Sequence, residues 1–219
     1  MYTKEQIIAL LKNEIITMEL TPGMIVSETA LTERFGLSRT PLRDVLKQLA
    51  LESYIDIYPK KGNIVSYIDL ESVEQIIYLR SLLEKEIIKE LTSRLSITDI
   101  HVLKTILEQQ YQVIQNDEST DTFLNLDDTF HHTLFKLAGR EFLWDIIQQR
   151  NVHYVRYRRL HMLKKEKLKD ILKEHQLILE YMVQEQTEKV DQLIQQHLKD
   201  DINSLDFKSE FSTFIQNPL

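Results

Sequence analysis

The amino-acid sequence predicts a mainly α fold in two parts: a winged helix-turn-helix over residues 1–68 and an antiparallel bundle of six helices over residues 69–219. Three observations lead there. Glycine and proline crowd the front, where Pro22, Gly23, Gly36, Pro41, Pro59 and Gly62 all fall in the first 62 residues; only Gly139 and Pro218 follow. Such residues punctuate turns, so short elements give way to long uninterrupted ones. Helical apolar spacing then runs almost unbroken from Asp69 onward, whereas Tyr54–Tyr58 and Asn63–Tyr67 alternate as strands do.

The chain has 219 residues, 42% hydrophobic and 28% charged, enough to build a buried core. Cysteine is absent, which excludes disulfides, thiolate nucleophiles and cysteine-bound zinc, and leaves His, Asp and Glu as metal ligands. No apolar run approaches the ~20 residues of a membrane span, and the first residues lack the apolar core of a signal peptide. A soluble cytoplasmic protein with no membrane partner is expected. No two glycines stand close enough to cradle a phosphate, which argues against nucleotide hydrolysis and dinucleotide binding.

In the front segment Thr3 and Gln6 form a capping-box start, and Ile7, Ile8, Leu11, Ile15 and Met18 recur at helical spacing over about 4–18. Thr21-Pro22-Gly23 breaks that helix. Ser27 caps a short second one that ends at Gly36, and Ser38 starts a third that tolerates Pro41 in its first turn. Two helices joined by Gly36-Leu37 have helix-turn-helix spacing. On the third, Arg39, Arg43 and Lys47 form one stripe, with Arg39 and Thr40 at its N-terminal end, where a recognition helix reads bases. By spacing alone a solvated basic face reads equally well. The two strands and the basic turn Pro59-Lys60-Lys61-Gly62 between them complete a winged helix. Residues 1–70 carry eight basic and nine acidic residues, so DNA binding has to rest on local clustering and on doubling by dimerisation.

The string Pro22-Gly23, Ser27-Glu28, Leu31, Phe35-Gly36-Leu37-Ser38-Arg39-Thr40-Pro41-Leu42-Arg43, Leu46, Leu49 and Lys61-Gly62 resembles the N-terminal domain of GntR-type bacterial transcription regulators over about residues 4–67. The resemblance implies that Arg39, Thr40, Arg43 and Lys61 contact operator DNA and that Gly62 places the wing tip in the minor groove. Thr29 departs from it, standing where several relatives have a basic DNA-contacting residue.

Behind Asp69 the expected helices span about 70–94, 97–117, 121–138, 140–162, 165–185 and 187–206, with Ser96, Asp121 and Thr187 as starts. Asp127 and His131 are four apart and share a helix face, while His132 points about 100° away. His175 and His197 are each eleven residues from a turn near Gln186, so in an antiparallel hairpin they stand level. Asp127, His131, His175 and His197 can therefore converge as one carboxylate and three imidazoles, a set that suits Zn²⁺, Ni²⁺ or Mn²⁺. Each of these residues also reads as an ordinary helix-surface or core group. His101, His132, His153 and His161 are left in that class, and Tyr154–Arg159 reads as a solvated basic face with tyrosines turned inward.

Asp127-x-x-Phe130-His131-x-x-Leu134, Ala138-Gly139, Glu174-His175 and His197-Leu198 resemble the all-helical effector (FCD) domain of the FadR-type branch of the same family, closer to its VanR-like subgroup by helix count. Many members of that branch hold a metal with one Asp and three His at matching positions. Arg80 and Glu84 match a further motif of the domain, in which such an arginine lies near the effector cavity; an ordinary Arg/Glu helix pair is the alternative. The resemblance implies a repressor, not an enzyme, with no catalytic residues. Such a homodimer binds a palindromic operator and senses a small carboxylate at a metal-containing pocket. The alternatives are a metal-dependent hydrolase or lyase, for which Glu174 is the sole candidate base and faces away from His175, and a DNA binder whose helical part only dimerises.

Overall fold

The computed structural model describes residues 2–59, 62–163, 165–199 and 205–215. No helix among them is long and apolar enough to cross a membrane. The chain forms two compact units, one of Met1–Val73, Gln149–Tyr157 and Leu205–Leu219, the other of Glu74–Gln148 and Arg158–Ser204.

The first unit is a winged helix. Helix α1 (Lys4–Ile16) opens on the expected capping box, in which Thr3 accepts from the Gln6 amide and Gln6 accepts from Thr3. Helix α2 (Glu28–Phe35) ends at Gly36, whose φ of 63° is the left-handed cap that lets the chain turn sharply into α3 (Arg39–Leu51). Ile7, Leu11, Ile15, Leu31, Phe35, Leu42, Val45 and Leu49 meet in one core, which Ile55 and Val65 close from the sheet. Strands β2 (Ile55–Tyr58) and β3 (Gly62–Val65) pair antiparallel as the alternation predicts. A third strand, β1 (Ile25–Val26), pairs with β3 on its other edge. Two residues are too few to show a period of two, so it leaves no trace in the sequence.

The second unit is helical. It takes most of α4 (Leu70–Thr92), all of α5 (Ile97–Gln115), α6 (Thr120–Leu137), α9 (Lys165–Val183) and α10 (Thr187–Lys199), and α7 (Glu141–Gln149) up to Gln148. The helix expected over 140–162 is two, α7 and α8 (Val152–His161), interrupted at Arg150-Asn151. Asn favours the residue just before a helix, and apolar periodicity that carries across such a break conceals it. Ser119, rather than the anticipated Asp121, caps α6, accepting from the Thr122 amide.

The stretch leaving the wing is held by groups that the sequence reading had placed on a solvated face. Arg156 is fully buried; Nη1 donates to the Ser66 carbonyl (2.7 Å) and Nη2 to Ser66 Oγ (2.9 Å). These partners lie 90 residues away in the chain, so composition alone cannot reveal them. The Ile68 amide donates to the Phe214 carbonyl at 2.8 Å, which docks the segment around the short helical turn Ser212–Phe214 beside buried Phe211. His153 Nδ1 faces two donors, the Asp69 amide (3.3 Å) and Arg156 Nη2 (3.1 Å), so the ring is neutral and Nδ1 carries the lone pair. Burial and then the Arg156 charge push its pKa down to about 4. The folded value lies below the unfolded one, so this contribution is complete above about pH 6.5 and is lost as the pH falls toward 4. Urea titrations across that range should show wild type losing on the order of 2 kcal/mol more than His153→Gln. Parallel pH profiles would contradict the assignment.

Candidate metal centre

Helix α6 turns a face of Phe123, Asp127, Phe130, His131 and Leu134 inward, the 3.6-residue repeat placing Asp127 and His131 one above the other. The α9–α10 hairpin turns through Glu185, at φ 58°, and brings His175 and His197 level. His197 Nε2 lies 3.2 Å from His175 Nε2 and 3.2 Å from His131 Nε2. Asp127 presents Oδ1 at 3.6 Å from His175 Nε2 and Oδ2 at 3.8 Å from His131 Nε2. One ligand atom from each residue fits within 4.8 Å of the others. Phe130 stacks on the His175 ring at 4.3 Å and walls one side.

The far side of every imidazole faces an acceptor. His131 Nδ1 lies 2.8 Å from Glu84 Oε2, somewhat off the line of its N–H; His175 Nδ1 is 3.0 Å from Gln110 Oε1, and His197 Nδ1 is 2.7 Å from Glu174 Oε2. Carboxylates and amide carbonyls accept, so these partners assign the proton to Nδ1 in all three rings. Three Nε2 lone pairs then point at one another. A cation placed among them would relieve the repulsion. With bonds near 2.1 Å, a 3.2 Å separation between nitrogens subtends about 100°, as neighbouring ligands on a small divalent ion do.

Charge agrees with this fit. Glu84 pairs with Arg80, Asp127 and Asp128 share Arg158, and Glu174 meets His197, so these four carboxylates and two guanidiniums sum to two negative charges, which a divalent ion would balance. Burial by itself would raise the Asp127 carboxyl; the Arg158 charge and then the imidazoles outweigh it and hold the group well below the usual range. Glu84 behaves alike, with Arg80 and His131 overcoming burial to hold it at about 2. Burial lowers His131 and, more strongly, His175, keeping both neutral and able to donate a lone pair. Such a set can hold Zn²⁺, Ni²⁺ or Mn²⁺ with positions left for water or a ligand.

Arg80 and Glu84 form a buried i,i+4 pair at 2.6 Å, with the guanidinium 5.6 Å from the Trp144 ring centre. Through Glu84 the arginine is one residue removed from His131. The four site residues read from sequence spacing are thus brought together, and His132 goes elsewhere, to Glu141 at 3.0 Å. Sequence reasoning missed Gln110, and it placed Arg158 on a solvated face. Arg158 is buried and donates to Asp127 Oδ2 and, at 2.6 Å, to Asp128 Oδ1. Glu174, expected to face away from His175, meets His197 Nδ1 as an acceptor. The available signal was periodic: Arg80, Glu84 and Gln110 fill inward slots of α4 and α5 that apolar residues otherwise hold.

On the first unit, Arg39, Thr40, Arg43 and Lys47 are all exposed along α3. Arg43 Nε lies 3.1 Å from Glu28 Oε2. Gly62, at φ 92°, begins β3 at the wing tip, and Lys61 lies outside the described residues.

Comparison with known proteins matches residues 3–65 to the model of bacterial regulatory proteins of the gntR family, and residues 75–200 to the FCD domain. An uncharacterized HTH-type transcriptional regulator in an unstable DNA locus of Streptomyces ambofaciens is 33% identical over 150 residues; these cover 68% of this chain but only 62%, less than two thirds, of that protein. The HTH-type transcriptional repressor RspR of Escherichia coli K12 is 27% identical over 198 residues, covering 90% of this chain and 86% of that one. Among solved structures, E. coli McbR/YncC superposes with a TM-score of 0.71 at 18% identity, covering 96% of this chain and all of that one, a likeness of fold. The chain belongs to the gntR family of bacterial regulatory proteins, in the branch that carries an FCD domain, and is a DNA-binding transcriptional regulator.

Proposed function

We propose that the protein is a cytoplasmic, metal-containing repressor released or reset by a small carboxylate. In this reading residues 1–68 bind DNA, and residues 69–219 hold the effector and dimerise. The observation that carries it is the convergence of three imidazole Nε2 atoms and one carboxylate in a dry core, each ring braced on its far side. Asp127, His131, His175 and His197 would hold the ion, which when bound supplies a Lewis-acid site for a carboxylate oxygen. Arg80 stands behind Glu84 as the cationic group for the rest of the effector. The relative RspR carries the name repressor, which favours that sign of regulation here.

Arg39, Thr40, Arg43, Lys61 and Gly62 are assigned to the operator, one recognition helix per half-site of a palindrome. Arg43 is shared with Glu28 in the free protein, so DNA phosphates must displace a carboxylate. The exposed pair contributes little to stability.

Protein purified without chelator or a histidine tag should carry about one Zn, Ni or Mn per chain by elemental analysis. The Asp127→Ala/His131→Ala variant should carry none. Wild type that stays metal-free after reloading with all three ions would remove the basis of this reading. In anisotropy titrations Arg39→Ala and Arg43→Ala should each weaken operator binding by about 1–3 kcal/mol. Glu28→Gln should instead strengthen binding a few-fold at low salt, an increase that fades as the salt is raised; unchanged affinity would show that Arg43 does not reach DNA.

A further inference from the structure

The three outer acceptors of the cage are not equivalent. Glu84 and Gln110 are fully buried, and Glu84 is clamped by Arg80. Glu174 retains 17% of its side-chain exposure and lines an open cleft of about 560 Å³ between α9 and α10, together with Asp170, Lys173, Leu177, Leu193 and Gln196. Its partner is unusual among the ligands as well. Asp127, His131 and His175 are fully buried, whereas His197 is the one ligand of the four that is only half-buried. Three ligands are therefore fixed in the core. The fourth is steadied by one carboxylate that meets solvent.

Resting on the reading above, we infer that Glu174 is the positioning residue that controls exchange of the cation, with His197 as the ligand that leaves first and the α9–α10 cleft as the path. Holding the Nδ1 proton of His197, Glu174 fixes the ring with its lone pair toward the ion and raises the basicity of that nitrogen. When this hydrogen bond breaks, the ring can turn out toward the cleft while Asp127, His131 and His175 stay in place. The bound ion then loses one bond at a time.

The experiment uses the full chain loaded with one equivalent of Zn²⁺, or of Co²⁺ for its visible spectrum, and follows release to an excess of a chromophoric chelator. Glu174→Ala should release metal at least ten-fold faster than wild type, with the same stoichiometry at saturation. Glu174→Gln, which keeps a carbonyl acceptor but not the charge, should fall between them. The metal-free Tm of Glu174→Ala should fall only by the few degrees that one unpaired buried N–H costs, whereas Glu174→Gln, which keeps the acceptor, should hold the wild-type Tm and still release metal faster, which separates positioning from a general loss of stability. Release from Glu174→Ala within two-fold of wild type overturns the inference while leaving the metal centre intact. Wild type that takes up no ion overturns the metal centre itself. Should Glu174→Ala fail to fold, Glu174→Gln decides alone: faster release supports the gate, and wild-type release overturns it.

Discussion

Three imidazole lone pairs that meet within a few ångströms of buried protein repel one another, and much of the helical unit is arranged around that constraint. The far nitrogen of each ring must donate its N–H to an acceptor, so α4 and α5 place Glu84 and Gln110 where a core would ordinarily have leucine, and α9 adds Glu174 at the edge. Glu84 brings a charge of its own, which draws Arg80 inside, as the ligand Asp127 draws Arg158. Removing one member of such a network leaves its partner buried and unpaired, a cost of about 1–3 kcal/mol for a neutral group and more for a charge. The site and the bundle core are thus one object: the ligands are held because the helices pack, and the helices tolerate buried charge because the ligands are paired.

The winged helix obeys a different economy. Its fold rests on a small apolar core and the left-handed turn at Gly36, and owes little to electrostatics. Its surface has almost no net charge over residues 1–70, so whatever attraction it has for DNA comes from where the cations stand. The pairing of Arg43 with Glu28 sharpens the point. Part of the basic surface is already partnered, and affinity for arbitrary DNA is correspondingly restrained.

Much of this was legible in the chain. Helix caps at Thr3, Ser27 and Ser96, the turn at Gly36, and the equal distances of His175 and His197 from the hairpin turn are local facts, and local facts survive folding. What escaped was set by partners far away. Arg156 and Arg158 read as solvated because a cation is surface material until a carbonyl or carboxylate from another element meets it. Glu174 illustrates the limit most clearly. Helix geometry gives its angle relative to His175, but only the neighbouring helix determines what waits in that direction. Gln110 carried a faint signal, a polar residue at an inward position, which pattern reading tends to discount as noise.

The hydrogen bond between Ile68 and Phe214 has a consequence for how the chain comes into being. The core of the winged helix, from Ile7 to Val65, is made before any of the helical unit and can condense as soon as it clears the ribosome. Ser66 and Ile68 have to wait. Their partners, Arg156 and Phe214, follow about 90 and 150 residues later, or roughly 5–30 s at ordinary rates of elongation. During that interval a folded DNA-reading head hangs on a connector whose Ser66 carbonyl and Ile68 amide are satisfied only by water, and the connector takes its final form only after most of the helical unit has been made.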